Sequence, residues 1–231
     1  MELIENNNKI KEIESDLFSA LENIKGSAYD NKAKMYEKLV GSKLYNKLFW
    51  GTQPKDYTNF AKEAILNSTG TSLDIGCGGL IQTFDVYANS NQNYILLDHS
   101  IEMLRIAKNR LTNHCGRIPK NINLLQADAF QLPFENASFD NIVSFGMIHC
   151  FENKSDFVNE TLRVLKPKGI FYFSTMTSDR LISKYYMNIL RKQKEFGEPL
   201  SSQQILSLFT AKVSNIKHYK RGNMLFINGI K

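Results

Sequence analysis

The sequence predicts a doubly wound α/β fold, in which a parallel sheet carries helices on both faces. Apolar runs occur at regular intervals and alternate with helical patterns, and a glycine-rich turn follows the first run. Such runs predict strands at 71–75, 94–98, 122–126, 141–146 and 170–176. Strands that are apolar on both faces and separated by helices are typical of a buried parallel sheet.

The other elements follow from local patterns. Helices are predicted at about 56–68, 80–89, 100–112 and 155–165. A capped helix in "SSQQILSLF" is followed by "SNIKHY", the turn "KRGN" and "MLFINGI", which predict an antiparallel hairpin. Apolar residues at helical spacing over 9–25 and 30–48 predict a helical extension. We therefore expect an N-terminal helical lid over 1–55 and a main domain over 56–231.

Composition favours an ordinary globular protein with 42% hydrophobic and 23% charged residues. We find no apolar run long enough for a membrane span and no secretory pattern in the opening residues. Three cysteines without framework spacing suit a reducing cytoplasm. Cys77, Cys115 and Cys150 lack metal-ligand spacing, so no metal site is expected. The oligomeric state stays open.

Positive charge is concentrated at the C-terminal end of the chain. The whole chain has a net charge of +6; residues 179–231 hold ten Lys or Arg against three acids, a local +7, which leaves −1 for the rest. The basic residues are interspersed, as on solvated helix faces. This favours a solubilising role over nucleic-acid binding, which remains an alternative.

A glycine-rich loop, "LDIGCGGL", follows the first strand. Gly76, Gly78 and Gly79 allow another molecule to approach the backbone, although a tight turn would also use them. A dinucleotide fingerprint requires a third glycine where Ile81 stands, and no Gly-Lys-Ser/Thr follows for a P-loop. Asp98 ends the second strand and suits either ribose hydroxyls or a helix cap. Together these features predict a nucleoside ligand without a pyrophosphate.

Four segments carry a resemblance to a known family. These are "LDIGCGGL", "YILLDHSIEML", "LLQADAFQLPFENASFDNIVSFGMIHC" and "TLRVLKPKGIFYFST". In order and spacing they resemble class I S-adenosylmethionine-dependent methyltransferases of the methyltransferase-11 type, the group that contains the ubiquinone/menaquinone-biosynthesis C-methyltransferases. The resemblance implies a Rossmann-like seven-stranded sheet with an antiparallel final hairpin, and S-adenosyl-L-methionine as cofactor.

The resemblance also implies the cofactor site residue by residue. It sets Asp74, Gly76, Cys77 and Gly78 along the methionine part, Asp98 on the ribose, and His99 and Met103 beside the adenine. Asp128 would accept from the adenine amino group, Ala129 and Phe130 would pack on the ring, and Ser144 and Phe145 would lie near the sulfonium. Two positions depart from the family: Leu80 and Lys168 stand where glycines are usual.

Catalytic candidates are fewer. His149 follows the fourth strand of the main domain and is a candidate general base, although it also suits a packing or capping role. Tyr36, Tyr45, Phe49 and Trp50 precede the main domain and suit either a lid over the cofactor or a core. Aromatic rings attract a sulfonium by ~0.5–2 kcal/mol.

We therefore expect an enzyme that transfers a methyl group to a small-molecule acceptor by in-line displacement. One alternative is an RNA or DNA methyltransferase that uses the basic C-terminal segment. However, "SFGMIHC" lacks the Asn/Asp-Pro-Pro-aromatic run of base-amino methyltransferases and the Pro-Cys pair of cytosine-C5 enzymes. A second alternative is a non-catalytic cofactor-binding protein.

Overall fold

A computed structural model of the chain describes residues 9–22, 41–210 and 212–231, except for the side chains of residues 48 and 49. The strands are β1 (Lys11–Glu14), β2 (Leu17–Ser19), β3 (Thr71–Ile75), β4 (Asn93–Asp98), β5 (Ile122–Gln126), β6 (Phe139–Phe145), β7 (Leu165–Met176), β8 (Ser214–Arg221) and β9 (Met224–Ile230). The helices are α1 (Lys43–Tyr45), α2 (Pro54–Leu66), α3 (Phe84–Ala88), α4 (Ile101–Cys115), α5 (Lys154–Val164), α6 (Leu181–Lys192) and α7 (Ser202–Thr210). A π-helical turn, Asn46–Trp50, continues α1, and a 3₁₀ turn covers Ile148–Cys150.

The strands form one mixed sheet in the order β1-β2-β5-β4-β3-β6-β7-β9-β8. Strands β2 to β7 pair in parallel, and β9 lies antiparallel between β7 and β8. The chain order reverses between β3 and β6, which makes this point the topological switch. The parallel sheet and the final hairpin confirm the predicted fold class.

Side chains alternate between the two faces of the sheet. Leu73 and Ile95 join one core cluster with α5 and α7, whereas Leu96 and Leu124 join another with α4. A third cluster packs Phe60 of α2 against β6, β7 and β9. Every strand from β3 to β6 is therefore buried on both sides, as the apolar runs predicted.

The N-terminal part differs from the sequence-based expectation in two ways. Residues 11–14 and 17–19 are strands rather than part of a helix over 9–25, and the sheet has nine strands instead of seven. β2 pairs in parallel with β5, and β1 folds back antiparallel on β2. Periodicity alone could not predict this, because the free edge of β5 offers hydrogen bonds that a local pattern does not reveal.

The aromatic residues before α2 divide between described and undescribed parts of the chain. Tyr36 and residues 30–40 of the helix predicted over 30–48 lie outside the described residues, as does the side chain of Phe49. The last part of that prediction falls on α1 and the π-helical turn. The division into a lid over 1–55 and a domain over 56–231 stays a prediction.

Candidate functional site

A cavity of about 390 Å³ opens at the carboxyl ends of β3, β4, β5 and β6. Its lining contains every residue that the resemblance implied for the cofactor, except Ser144. These residues are Asp74, Gly76, Cys77, Gly78, Asp98, His99, Met103, Asp128, Ala129, Phe130 and Phe145. Residues predicted from loops that lie far apart along the chain thus share one continuous surface, and their contacts with a cofactor stay a prediction.

The glycine loop is shaped by left-handed backbone. Gly76 has φ of 77°, which favours glycine, and a Cβ added there would lie 2.4 Å from the Met147 side chain, which would have to move. Gly78 also has positive φ, but a Cβ there would meet nothing within 4 Å. Positive φ thus favours glycine at both positions, and the absence of a side chain at Gly78 leaves the space beside the backbone open. The carbonyl of Gly79 accepts a hydrogen bond from Arg110 of α4, which anchors the far end of the loop.

Asp98 joins the glycine loop to α4. Its Oδ2 accepts from the Gly78 N–H at 2.9 Å, and its Oδ1 accepts from the Ser100 N–H at 2.8 Å. The carboxylate is half-buried and lines the cavity. The cap interpretation of Asp98 is wrong, because Ser100 is the N-cap of α4 and its hydroxyl accepts from the Met103 N–H at 3.2 Å. The ribose interpretation stays a prediction, since a carboxylate oxygen can accept more than one hydrogen bond.

Asp74 is the most perturbed carboxyl group of the site. It is 2% exposed, and its Oδ2 accepts from the Tyr87 hydroxyl at 2.7 Å. Its Oδ1 is buried and has no hydrogen-bond partner among the described residues. Burial raises the pKa of Asp74 to about 7, against the opposing effect of the Tyr87 hydrogen bond. An unpaired buried carboxyl oxygen in a cavity wall is suited to a ligand donor or cation.

The loop after β5 forms the opposite wall. Asp128 Oδ1 accepts from the Phe130 N–H at 2.9 Å, which holds the loop in a tight turn. The Phe130 ring is 38% exposed and meets the Phe151 ring edge-on with a centroid distance of 4.8 Å. An apolar ring exposed within a cavity wall is suited to stack on a planar ligand.

Ser144 and His149 lie behind the cavity rather than in its lining. Ser144 is fully buried, and its hydroxyl donates to the Ile75 carbonyl at 2.8 Å. His149 is 2% exposed, and its Nδ1 accepts from the Met176 N–H at 3.3 Å. Burial lowers the pKa of His149 to about 3, so the imidazole is neutral at ordinary pH. Both residues fix the loop backbone from behind.

The described lid candidates belong to an apolar cluster. Trp50 is fully buried and stacks on Phe196 with a centroid distance of 6.1 Å, and it packs with Met187 of α6. The Tyr45 hydroxyl lies 3.3 Å from that of Tyr186 on α6, and burial raises the Tyr45 pKa. Of the alternatives for Tyr45 and Trp50, this arrangement favours core over lid.

Sequence reasoning missed part of the wall. The missed residues are Met147, Cys150 and Phe151 around the 3₁₀ turn, whereas Lys194 and Glu195 belong to the segment 178–200, which the sequence favours as a second wall. The proximity of Met147 to Gly76 follows only from the folded sheet. The length of the segment 178–200 was the available signal for Lys194 and Glu195, because long connections near a site often form its walls.

Comparison with known proteins places this cavity in context. Residues 73–173 match the family model described as "Methyltransferase domain". The chain is 34% identical over 150 residues to the ubiquinone/menaquinone biosynthesis C-methyltransferase UbiE of Pseudomonas savastanoi pv. phaseolicola. That alignment covers 62% of this chain and 57% of the relative, so the chain spans little more than half of the relative's length.

Solved structures share the fold at low sequence identity. An S-adenosylmethionine-dependent methyltransferase from Aquifex aeolicus superposes with a TM-score of 0.59 at 17% identity, covering 85% of this chain and 97% of its own. The [4+2]-cyclase SpnF superposes with a TM-score of 0.65 at 14% identity, covering 89% and 97%. The fold thus occurs in proteins whose names describe different reactions, and the chemistry must be argued from the site.

Proposed function

Since residues 73–173 match the family model of a methyltransferase domain, we propose that this chain transfers a methyl group from S-adenosyl-L-methionine to a small, largely apolar acceptor. S-adenosyl-L-methionine is the cofactor named for solved proteins with this fold, such as the methyltransferase from Aquifex aeolicus. The observation that carries the proposal is the single cavity in which the glycine loop and an apolar wall face one space. A cavity of about 390 Å³ is in the range of small-molecule sites.

The residues present fit this cofactor. The unpaired Oδ1 of Asp74 suits the methionine ammonium, and the open space beside Gly78 leaves room for the ligand to approach the backbone. Asp98 and Asp128 offer carboxylate oxygens for ribose hydroxyls and for the adenine amino group. His99, Met103, Ala129 and Phe130 would border the base. Bound S-adenosylmethionine supplies a methyl group already activated on a sulfonium.

The acceptor side is apolar with a charged edge. Phe145, Met147 and Phe151 form the apolar surface, and Lys194 and Glu195 lie at its border. These residues would exclude water and orient the acceptor in line with the methyl group, which is the main contribution that this chemistry requires. An aromatic ring acceptor, as in the quinone pathway named for the UbiE relatives, suits such a wall.

His149 suits a positioning role better than that of general base. Its imidazole is buried behind Gly146, and a Cβ added to that glycine would lie 3.9 Å from His149 Cε1. A base must come within hydrogen-bond reach of the proton that it removes. We therefore propose that His149 holds the 146–150 turn through the backbone of β7, and that an acceptor is deprotonated in solution or by another group.

Calorimetry with S-adenosylhomocysteine tests the cofactor half of the proposal. We expect Asp98→Ala to weaken binding by ~1.5–3 kcal/mol, because charge-assisted hydrogen bonds are lost. Asp85→Ala, which removes a half-buried carboxylate on α3 that pairs with Lys62 and does not line the cavity, should bind as the wild type does. NAD should not bind. Unchanged affinity in a folded Asp98→Ala protein would remove the ribose assignment.

The acceptor half is tested with labelled methyl groups. Wild-type protein is incubated with methyl-labelled S-adenosylmethionine and a cell extract, and the extract is separated into organic, aqueous and acid-precipitable fractions. We expect cofactor-dependent label in the organic fraction. Label confined to acid-precipitable nucleic acid would instead support the RNA alternative, and absence of transfer with intact cofactor binding would support a non-catalytic protein.

A further inference from the structure

Helix α6 carries an apolar surface that the rest of the described chain leaves uncovered. Leu181, Ile182 and Tyr185 are 87%, 73% and 72% exposed. Residues 181 and 185 are one turn apart and 182 lies beside them, so the three side chains form one surface, which we call the α6 stripe. The opposite face of the same helix is buried through Met187 and Leu190. The stripe is therefore additional to the face that docks α6 on the domain.

The surroundings of the stripe are positively charged. Arg180 and Lys184 flank it, and Lys192 lies two turns after Tyr185 on the same side; all three are exposed. The neighbouring acids are engaged elsewhere, since Asp179 pairs with Lys220 and Glu152 pairs with Arg191 at 2.8 Å. The α6 stripe is therefore an exposed apolar surface surrounded by positive charge.

The segment before α2 extends this surface. Trp50 packs on Tyr186 of α6 with a centroid distance of 5.6 Å, which joins the segment to the helix. On that segment Leu44 is 74% exposed, and its neighbours Lys43 and Lys47 are exposed as well. The same combination of an exposed apolar side chain with flanking lysines thus occurs on both elements.

From these observations we propose that the α6 stripe docks onto an anionic membrane surface. Apolar side chains with flanking cations are the composition of an interfacial helix, which buries its apolar face at the acyl boundary while its cations meet lipid headgroups. Nucleic acid is a poorer match, because phosphates would leave Leu181 and Ile182 unburied. Among the described residues no helix is long and apolar enough to cross a membrane, so α6 would lie on the surface.

This docking has a consequence for the cavity. Lys194 and Glu195, which border the cavity, follow α6 by two and three residues. The stripe lies in the first turn of α6 and the cavity border follows the last turn, about 17 Å along the helix axis, so a bilayer along which the whole helix lies would reach toward the border. If the proposed function holds, an apolar acceptor could pass from the lipid into the cavity without crossing water; this consequence rests on that function, whereas the docking itself does not.

Vesicle sedimentation of the full chain tests the proposal without any acceptor. We expect the protein to sediment with vesicles of phosphatidylcholine and phosphatidylglycerol, and less with phosphatidylcholine alone. Leu181→Ser should lower the partition coefficient about tenfold or more, because the burial of a large apolar side chain at the acyl boundary is lost. Lys184→Glu should lower it on anionic vesicles, and added salt should weaken it.

Matched variants separate docking from general stickiness. Leu66→Ser changes an 80% exposed leucine on α2, and Lys120→Glu changes an exposed lysine far from α6 in sequence; both should bind vesicles as the wild type does. Equal binding by Leu181→Ser, or no binding by wild-type protein, would overturn the proposal. So would a dimer in sedimentation velocity that Leu181→Ser converts to a monomer without any vesicle binding, since a second copy would then cover the stripe. S-adenosylhomocysteine titration of each variant shows that its cofactor site is intact.

Discussion

At the residue scale, Asp74 links the chemistry of the site to stability. Burial raises its pKa from 3.8 to about 7. Because the folded-state pKa lies above that of the unfolded chain, the folded state binds the proton more tightly. The contribution of Asp74 to stability therefore falls as the pH rises from about 4 to about 7. Above that range an ionised carboxylate stands buried in the cofactor-free protein, which is a cost that a bound cation would offset.

The variant Asp74→Asn, whose side chain cannot ionise, tests the raised pKa of Asp74. Relative to wild type, its free energy of unfolding without cofactor should increase by about 1–3 kcal/mol between pH 5 and pH 8. Urea unfolding at both pH values measures this, with Asp85→Asn, at a half-buried carboxylate of α3 paired with Lys62, as control. The same variant should bind S-adenosylhomocysteine more weakly, as expected for a site that sacrifices stability for function. A difference from wild type that does not change with pH would contradict the assigned pKa.

Two other residues show what a left-handed backbone costs a non-glycine residue. Leu80 and Lys168, where the family usually has glycine, have φ of 60° and 64°. Lys168 is exposed, so Lys168→Gly should relieve strain and stabilise the protein by about 0.5–1 kcal/mol, after the extra freedom of glycine in the unfolded chain is subtracted. Leu80 is 2% exposed, and Leu80→Gly should destabilise by about 1–4 kcal/mol because packing is lost. Chemical denaturation measures the free energy of unfolding of both variants. Changes of the same sign in the two variants would contradict these expectations.

At the element scale, the N-terminal strands show how tertiary context overrides periodicity. Ile10, Ile13 and Leu17 have helical spacing, yet Asp16 turns the chain with φ of 60° and β2 pairs with β5. The Ser19 hydroxyl donates to the buried side chain of Gln126 at 3.1 Å, which adds a polar link at the sheet edge. The free edge of β5 therefore selects a strand conformation that the local sequence does not encode.

This pairing predicts that β2 contributes measurably to stability. Leu17 is fully buried in the cluster that contains Leu124, so Leu17→Ala should lower the free energy of unfolding by about 2–4 kcal/mol. Leu66→Ala removes an 80% exposed leucine and should change it by less than about 0.5 kcal/mol. Urea titration compares the two. A Leu17→Ala protein as stable as wild type would mean that β2 does not hold to the sheet in solution.

At the scale of the whole molecule, the sequence was most informative about the site where a motif lies at the end of a strand. Asp74, Asp98 and Asp128 each stand at or just beyond a strand end, and parallel strands bring such ends together at one edge. Residues behind the wall are harder to predict, because burial is not visible in a loop sequence. His149 is the clear case: its position after β6 suggested a base, whereas packing against Phe196 at a centroid distance of 4.5 Å keeps it from the cavity.

The charge of the C-terminal part also acquires a structural interpretation. Several of its cations already have partners: Arg191 pairs with Glu152, and Lys220 pairs with Asp179. Lys231 donates to the carbonyls of Leu162 and Leu165 at 2.6 and 2.8 Å. Cations held in this way contribute little to a phosphate-binding surface, because release of counterions requires charges that can reach the phosphates.

We therefore expect no retention of RNA or DNA at physiological salt. Filter binding with a labelled oligonucleotide, repeated over a salt series, measures the affinity and its salt slope. Lys217→Glu reverses an exposed charge on the edge strand β8. Any residual binding at low salt should stay weak in this variant, and its salt slope should change by no more than the loss of about one phosphate contact would cause. Anionic vesicles serve as the positive control for binding to an anionic surface. Binding to them should require the α6 stripe as well as the cations. Tight binding with a steep salt slope that Lys217→Glu reduces, while Leu181→Ser does not, would assign the basic segment to nucleic acid and favour an RNA substrate.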